Sequence, residues 1–170
     1  GVDVVLEGMT ILGGGDDIRL LMMGEGSERK LLEKVAKEKG VRVTFVGHHS
    51  VDVAKRAMQR AQAGFVSLVP RLYRFAYPSK TMTYLGEGCP VIVAVEPDSY
   101  LAKEISESAA GVITVNEAVE LAHVITEITN DKERLIAMRE HAKSLSAREY
   151  AQQVVLKKWS ALLKKDDVCE

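Results

Sequence analysis

Cysteine is scarce in this chain. Of 170 residues only Cys89 and Cys169 carry a thiol. They lie far apart, without metal-ligand spacing and without the density of a disulfide framework, so a reducing compartment is expected. An excess of one charge is lacking as well. The formal net charge is −1, which gives no global attraction to nucleic acid or to an anionic membrane. No apolar run reaches the ~18 residues of a membrane span, and no signal peptide is visible. A starting methionine is also missing. Gly1-Val2-Asp3 leads directly into the amphipathic run Val4, Val5, Leu6, Met9, Leu12, the beginning expected of a chain cut from a longer one. Gly13-Gly14-Gly15 is followed by Asp16-Asp17 and not by the Lys-Ser/Thr of a phosphate-binding loop, which leaves a plain turn. No Ser/His/Asp arrangement is visible.

What is present suits a single globular domain. Apolar residues make up 46% and charged residues 28%, ordinary values for a folded chain with a proper core. The periodicity predicts a helix over 2–12 and a short apolar strand over 18–23. A helix capped by Ser27 and running to Lys39 follows, with Leu31, Leu32, Val35 and Ala36 inward. A strand over 41–46, a helix capped by Ser50 over 51–61 and a strand over 64–69 come next. Pro78-Ser79-Lys80 opens a short helix that Gly88-Cys89-Pro90 ends. Then come a strand over 91–95, a helix capped at Asp98-Ser99 to about 108, and a strand over 111–115. Asn116 caps a helix to 128, Asp131 another to 145, and a last helix spans 147–164. Five strand–helix alternations with short connections predict an α/β, Rossmann-like doubly wound parallel sheet with extra C-terminal helices.

In such a sheet, ligands bind at the C-terminal ends of the strands. That rule gathers Gly24-Glu25-Gly26, Gly47-His48-His49, the 70–80 loop, Glu96 to Ser99 and the residues after Val115 on one rim. Gly24-x-Gly26 is either a tight turn or a backbone approach to a ligand; a third fingerprint glycine is absent, since position 29 is Arg. His48 and His49 are an exposed pair or the rim around a bound base. They lack metal partners, because His123 and His141 lie in helices without matching spacing. Arg71, Arg74 and Lys80 form either a solvated loop or a set of phosphate contacts, Arg as a bidentate fork and Lys as a point charge. Tyr73, Phe75 and Tyr77 alternate beside them, as a lid's packing face or the wall of a sugar or base pocket. Pro78, Ser79 and Lys80 stand at a helix N-terminus, where free N–H groups and the positive dipole end favour an anion. Cys89 reads as a small buried residue.

These pieces, in this order, resemble the C-terminal domain of GT-B glycosyltransferases of the retaining group 1 type, family 4. The turn and strand Ile18 to Ser27, the end Phe45-Val46-Gly47, the strand Ala61 to Pro70, and Pro78-Ser79-Lys80 with Gly88-x-Pro90-Val91-Ile92 carry the resemblance. The last of these is similar to the PSK signature of a subgroup acting on cell-envelope glycans. Asp98-Ser99 and Ala110-Gly111 continue that pattern.

The resemblance implies a donor-binding domain of an enzyme that moves a hexose or amino sugar from a nucleotide-diphospho-sugar to a glycan or lipid-linked acceptor. UDP is favoured over GDP, and no metal or other cofactor is implied. It places Ser79, Lys80 and the helix start at the diphosphate, and Gly24, Glu25, Gly26, Gly47, His48, Arg71, Arg74, Tyr77, Pro78 and Thr83 around the donor. It further implies a missing N-terminal acceptor domain, a missing first strand and a missing diphosphate-holding Arg/Lys pair, so that the fragment alone is inactive. The implied location is cytoplasmic, compatible with a peripheral position at the inner membrane face. One departure stands out. Many family members carry two glutamates eight positions apart, on the sugar and the ribose, and the matching positions here are Phe75 and Thr83. Two alternatives therefore stay open: a non-catalytic module of the same fold that binds a partner, and an unrelated doubly wound domain. A receiver is disfavoured, because Met23 and Val46 stand at strand ends where its acidic cluster belongs.

Overall fold

The computed structural model describes residues 2–13, 18–68 and 76–163. Helix α1 (Val2–Leu12) leads to strand β1 (Leu20–Met23), α2 (Arg29–Glu38), β2 (Val43–Val46), α3 (Val51–Arg60) and β3 (Gly64–Ser67). Then follow α4 (Ser79–Gly86), β4 (Val91–Ala94), α5 (Tyr100–Ser108), β5 (Gly111–Thr114), α6 (Ala118–Asn130) and α7 (Lys132–Leu145). A single π-helical turn (Ser146–Tyr150) and α8 (Gln152–Leu163) complete the order.

All strand pairs are parallel. β1 pairs with β2, and β4 lies between β3 and β5. The sheet expected as one is thus hydrogen-bonded as two, of two and three strands. β1 and β3 each find a strand partner on one side only, which is why the ladder is interrupted between them.

β4 explains the layering. Its residues are all buried, and they alternate between two cores. Val91, Val93 and Val95 pack with Leu85 of α4, Leu101 and Ile105 of α5, and Ala142 and Leu145 of α7. Ile92 points the other way, to Val5 and Met9 of α1, Leu121, Val124 and Ile128 of α6, and Leu135 and Met138 of α7. An apolar strand with period-2 side chains, covered on both faces, is what a buried parallel strand requires. α1 lies close against α6 because Gly8 has no side chain; a Cβ there would come within 3.2 Å of the Ala118 carbonyl.

Several expectations shift. Ser27 does not cap α2; Glu28 occupies that position in a helical conformation, because a turn from Gly26 to Arg29 precedes the helix. Leu31, expected inward, is 55% exposed. Ser50 has the extended N-cap conformation without a side-chain bond, and Glu117 rather than Asn116 precedes α6. Ser99 and Asp131 do cap, accepting from the N–H of Ala102 and Arg134. The last helix does not run unbroken from 147: Ala151 leaves the helical region (φ −59°, ψ 137°) and separates the π-turn from α8. α8 buries none of its residues. No described helix is long and apolar enough to cross a membrane.

Candidate functional site

Parallel register brings the strand ends to common rims. Met23 stands opposite Val46, and Ser67, Ala94 and Thr114 are aligned. At the first rim, the Gly24 N–H donates to the Val46 carbonyl over 2.9 Å. Gly24 has φ +127°, a conformation that side chains rarely adopt, so this glycine is needed by the turn itself. Gly26 has open space around it. Glu25 reaches across to β2's end: a Cβ on Gly47 would lie 2.8 Å from Glu25 Oε1. Arg29 holds that carboxylate at 2.6 Å, binds Glu33 through Nε at 2.8 Å, and reaches the Gly24 carbonyl at 3.4 Å. Both carboxylates raise the Arg29 guanidinium, Glu33 most. Arg29 was noted in the sequence only as a missing glycine; its position at the first residue of α2 makes it the cation of this rim. Gly24, Glu25 and Gly47 are therefore together, and His48 follows them, exposed.

At the second rim, Pro78 is the N-cap of α4, in extended conformation and without a side-chain capping bond. Ser79 and Lys80 are the first two helical residues and are exposed. An uncapped first turn directs N–H groups and the positive dipole end outward, which suits an anion. Among the described residues Lys80 makes no ion pair. Thr83 is exposed too, but its hydroxyl donates back to the Ser79 carbonyl at 3.3 Å. Tyr77 is half-buried and its hydroxyl turns inward, to Glu104 and to the Tyr150 hydroxyl. Burial, then the bond to Glu104, hold the phenols of Tyr77 and Tyr150 well above the usual range. Arg71 and Arg74, like Tyr73 and Phe75, lie outside the described residues.

Two further residues belong to this rim. Tyr100, first in α5, is 70% exposed, with its ring 6.2 Å from that of Tyr77. Asn116, beyond β5, has a buried Oδ1 with no hydrogen-bond partner. An exposed aromatic directly after a capping Asp-Ser pair was the readable signal for Tyr100; nothing in the spacing marked the orphaned Asn116 oxygen. Cys89 is fully buried, and burial pushes its thiol up to about 11, which removes a nucleophile at neutral pH. A cavity of about 470 Å³ opens between α5, α7 and the start of β5, the opposite end of that strand from the rim. Two of its polar side chains are engaged within the fold, Arg134 by Glu127 and His141 by the Ala109 carbonyl. Among the described residues no three His, Cys, Asp or Glu side chains form a metal cluster.

Fold and rim define the class: an α/β domain of the Rossmann-like kind found in GT-B glycosyltransferases. No protein-family model matches the chain, and no curated protein sequence does. Solved structures do. Anabaena HepE bound to UDP superimposes with a TM-score of 0.78 at 16% identity, over 97% of this chain and 45% of HepE. WaaG, a glycosyltransferase involved in lipopolysaccharide biosynthesis, gives 0.70 at 20% identity, over 93% of this chain and 42% of WaaG. The catalytic domain of cholesterol-alpha-glucosyltransferase from Helicobacter pylori gives 0.68 at 20% identity, over 85% of this chain and 88% of that one. The chain spans less than half the length of HepE and of WaaG. At these identities the likeness is one of fold.

Proposed function

We propose that this chain is the donor-binding domain of a retaining, family 4 glycosyltransferase of the PSK-signature subgroup. In this reading it binds a nucleotide-diphospho-sugar, UDP ahead of GDP, and works with an acceptor-binding half to glycosylate a glycan or lipid-linked acceptor. The observation that carries the reading is the uncapped N-terminus of α4 with Ser79 and Lys80 exposed, on a fold shared with HepE, whose structures hold UDP and UDP-glucose. The helix dipole, the Ser79 hydroxyl and the Lys80 ammonium would offset the charge growing on the departing nucleotide diphosphate. That is transition-state stabilisation by preorganised groups, and it requires no metal. The setting is cytoplasmic, with acceptors of the cell envelope as the expected class.

The test is thermal unfolding of the intact protein with UDP, GDP or ADP. A ligand at about 100 times its Kd adds roughly 2.7 kcal/mol to the folded state. For a chain of this size that is a rise in Tm of about 5–10 °C. Lys80→Ala should weaken UDP binding roughly fivefold, the weight of one exposed charge at contact, and leave uridine binding unchanged. No shift with any of the three nucleotides would support the second reading, a non-catalytic module. One observation favours that reading: Thr83, where a ribose-binding carboxylate is expected, gives its proton to its own helix.

A further inference from the structure

The Tyr77 and Tyr150 phenols meet Glu104 in a knot assembled from three separate places: the residue before Pro78, the middle of α5, and the last residue of the π-turn. Gathering two phenols and a carboxylate in a half-buried place costs hydration unless they find partners. Both hydroxyls donate to Glu104 Oε2; with one proton each, they then lie 2.5 Å from each other as a close oxygen contact and not as a third hydrogen bond. The rings of Tyr100 and Tyr150 tilt against Tyr77 at 6.2 and 6.1 Å and close its sides. Two donors converging on one carboxylate oxygen fix direction, because each phenol reaches it only over a narrow range of geometry.

What it fixes is the start of α4. One residue, Pro78, separates Tyr77 from Ser79, and the pyrrolidine ring locks φ there at −67°. α4 has only eight residues and no side-chain cap. Thr81, within its first turn, and Leu85 are fully buried and seat its inner side, and the backbone entering through Pro78 is held from Tyr77.

We propose that Tyr77, Glu104 and Tyr150 are positioning residues: a latch that aims the first-turn N–H groups of α4 and Lys80 at the diphosphate of the donor. This rests on the donor-site reading above. Tyr150 directly precedes Ala151, so the latch also ties the start of α4 to the point where α8 begins.

The experiment is calorimetric titration of the intact protein with UDP and, separately, with uridine. Tyr150→Phe keeps the ring and removes only the hydroxyl. Its Kd for UDP should rise about tenfold, the scale of one charge-assisted hydrogen bond, with uridine affinity unchanged within about twofold. Tyr77→Phe, the second variant, should behave alike. Glu104→Gln keeps an acceptor oxygen and should restore UDP affinity to within about threefold of the unaltered protein, whereas Glu104→Leu should not. UDP and uridine weakened by the same factor would mean that the knot holds only the fold. Unchanged UDP affinity in both phenylalanine variants would also overturn the latch while leaving the donor site standing. Absence of UDP, GDP and ADP binding by the unaltered protein would overturn the donor site and the latch together.

Discussion

Removing Arg139 is the sharpest test of how the domain is held together. Its guanidinium, on α7, donates to three backbone carbonyls: Gln59 at 3.1 Å, Gly88 at 3.2 Å, and Ala61. Gln59 and Ala61 end α3, and Gly88 follows α4, so one planar fork closes the ends of two helices onto a third. Those carbonyls have no intrahelical donor, and a cation at a helix C-terminus also faces the negative dipole end. In Arg139→Ala the exposed Gln59 carbonyl rehydrates, but the buried Gly88 and half-buried Ala61 sites lose their donor. With ~1–3 kcal/mol for each buried acceptor left alone, the loss is about 2–4 kcal/mol. In a domain of this size that lowers Tm by about 4–16 °C. Urea denaturation followed by circular dichroism should show a lower midpoint with an unchanged slope. Arg139→Lys should recover about half, because an ammonium is a single point charge and cannot span three acceptors. A loss below ~0.5 kcal/mol for Arg139→Ala, the range of an ordinary surface change, would refute the argument.

Two other perturbations follow from the same packing. Burial raises the Cys89 thiol from 9.0 to about 11, with Arg139 pulling the other way. A raised acid holds its proton more tightly in the folded state, so its contribution is complete below pH 9 and is lost as pH climbs from 9 to 11, up to about 3 kcal/mol. Tyr77, Tyr84 and Tyr150, raised first by burial, add to the same alkaline loss. Urea midpoints measured from pH 7 to 10 should fall above pH 9, and Cys89→Ala should flatten the fall; an identical slope would clear the thiol. Gly111→Ala tests the closest strand contact. A Cβ there would run into the Val91 carbonyl, with Val91 Cγ2 at 2.8 Å, forcing β5 off β4 at a cost of about 3 kcal/mol. Gly26→Ala, with nothing within 4 Å, is the control and should change stability by less than ~0.5 kcal/mol.

Elements whose signal is local were legible in the sequence. The five strands, the helix starts at Ser99 and Asp131, and the doubly covered strand Val91–Ala94 all follow from short-range pattern and side-chain chemistry. The failures are non-local. The caps are an exception: Ser27 and Asn116 are good caps by composition, but the local turn at Gly26 and the extended Glu117 each shift the helix start by one residue. Leu31 fits the inner stripe of α2, yet it is 55% exposed, because burial depends on what other elements arrive over that face. No periodicity reports that β1 and β3 fail to pair, since pairing belongs to two strands and not to either alone.

The site divides along the same line. That Pro78-Ser79-Lys80 opens a helix depends on adjacent residues, and the structure has that helix start with Ser79 and Lys80 outward. What a polar side chain does with its hydrogen bond depends on where distant residues arrive. Tyr77 is a candidate contact from its place in the loop before the turn, and Thr83 from the family position of a ribose-binding glutamate. Tyr77 meets partners 27 and 73 positions away, and Thr83 meets its own helix. The consequence for the chemistry is specific. In the proposed donor-site reading, with the Tyr77 and Thr83 hydroxyls engaged internally, the grip on a diphosphate would come from groups that remain outward: the α4 N–H groups, Ser79 and Lys80. A site built this way recognises charge and shape more than the hydroxyl pattern of a sugar. In that reading, discrimination among sugars would fall to residues beyond this turn, Tyr100 with its exposed ring among those on the rim.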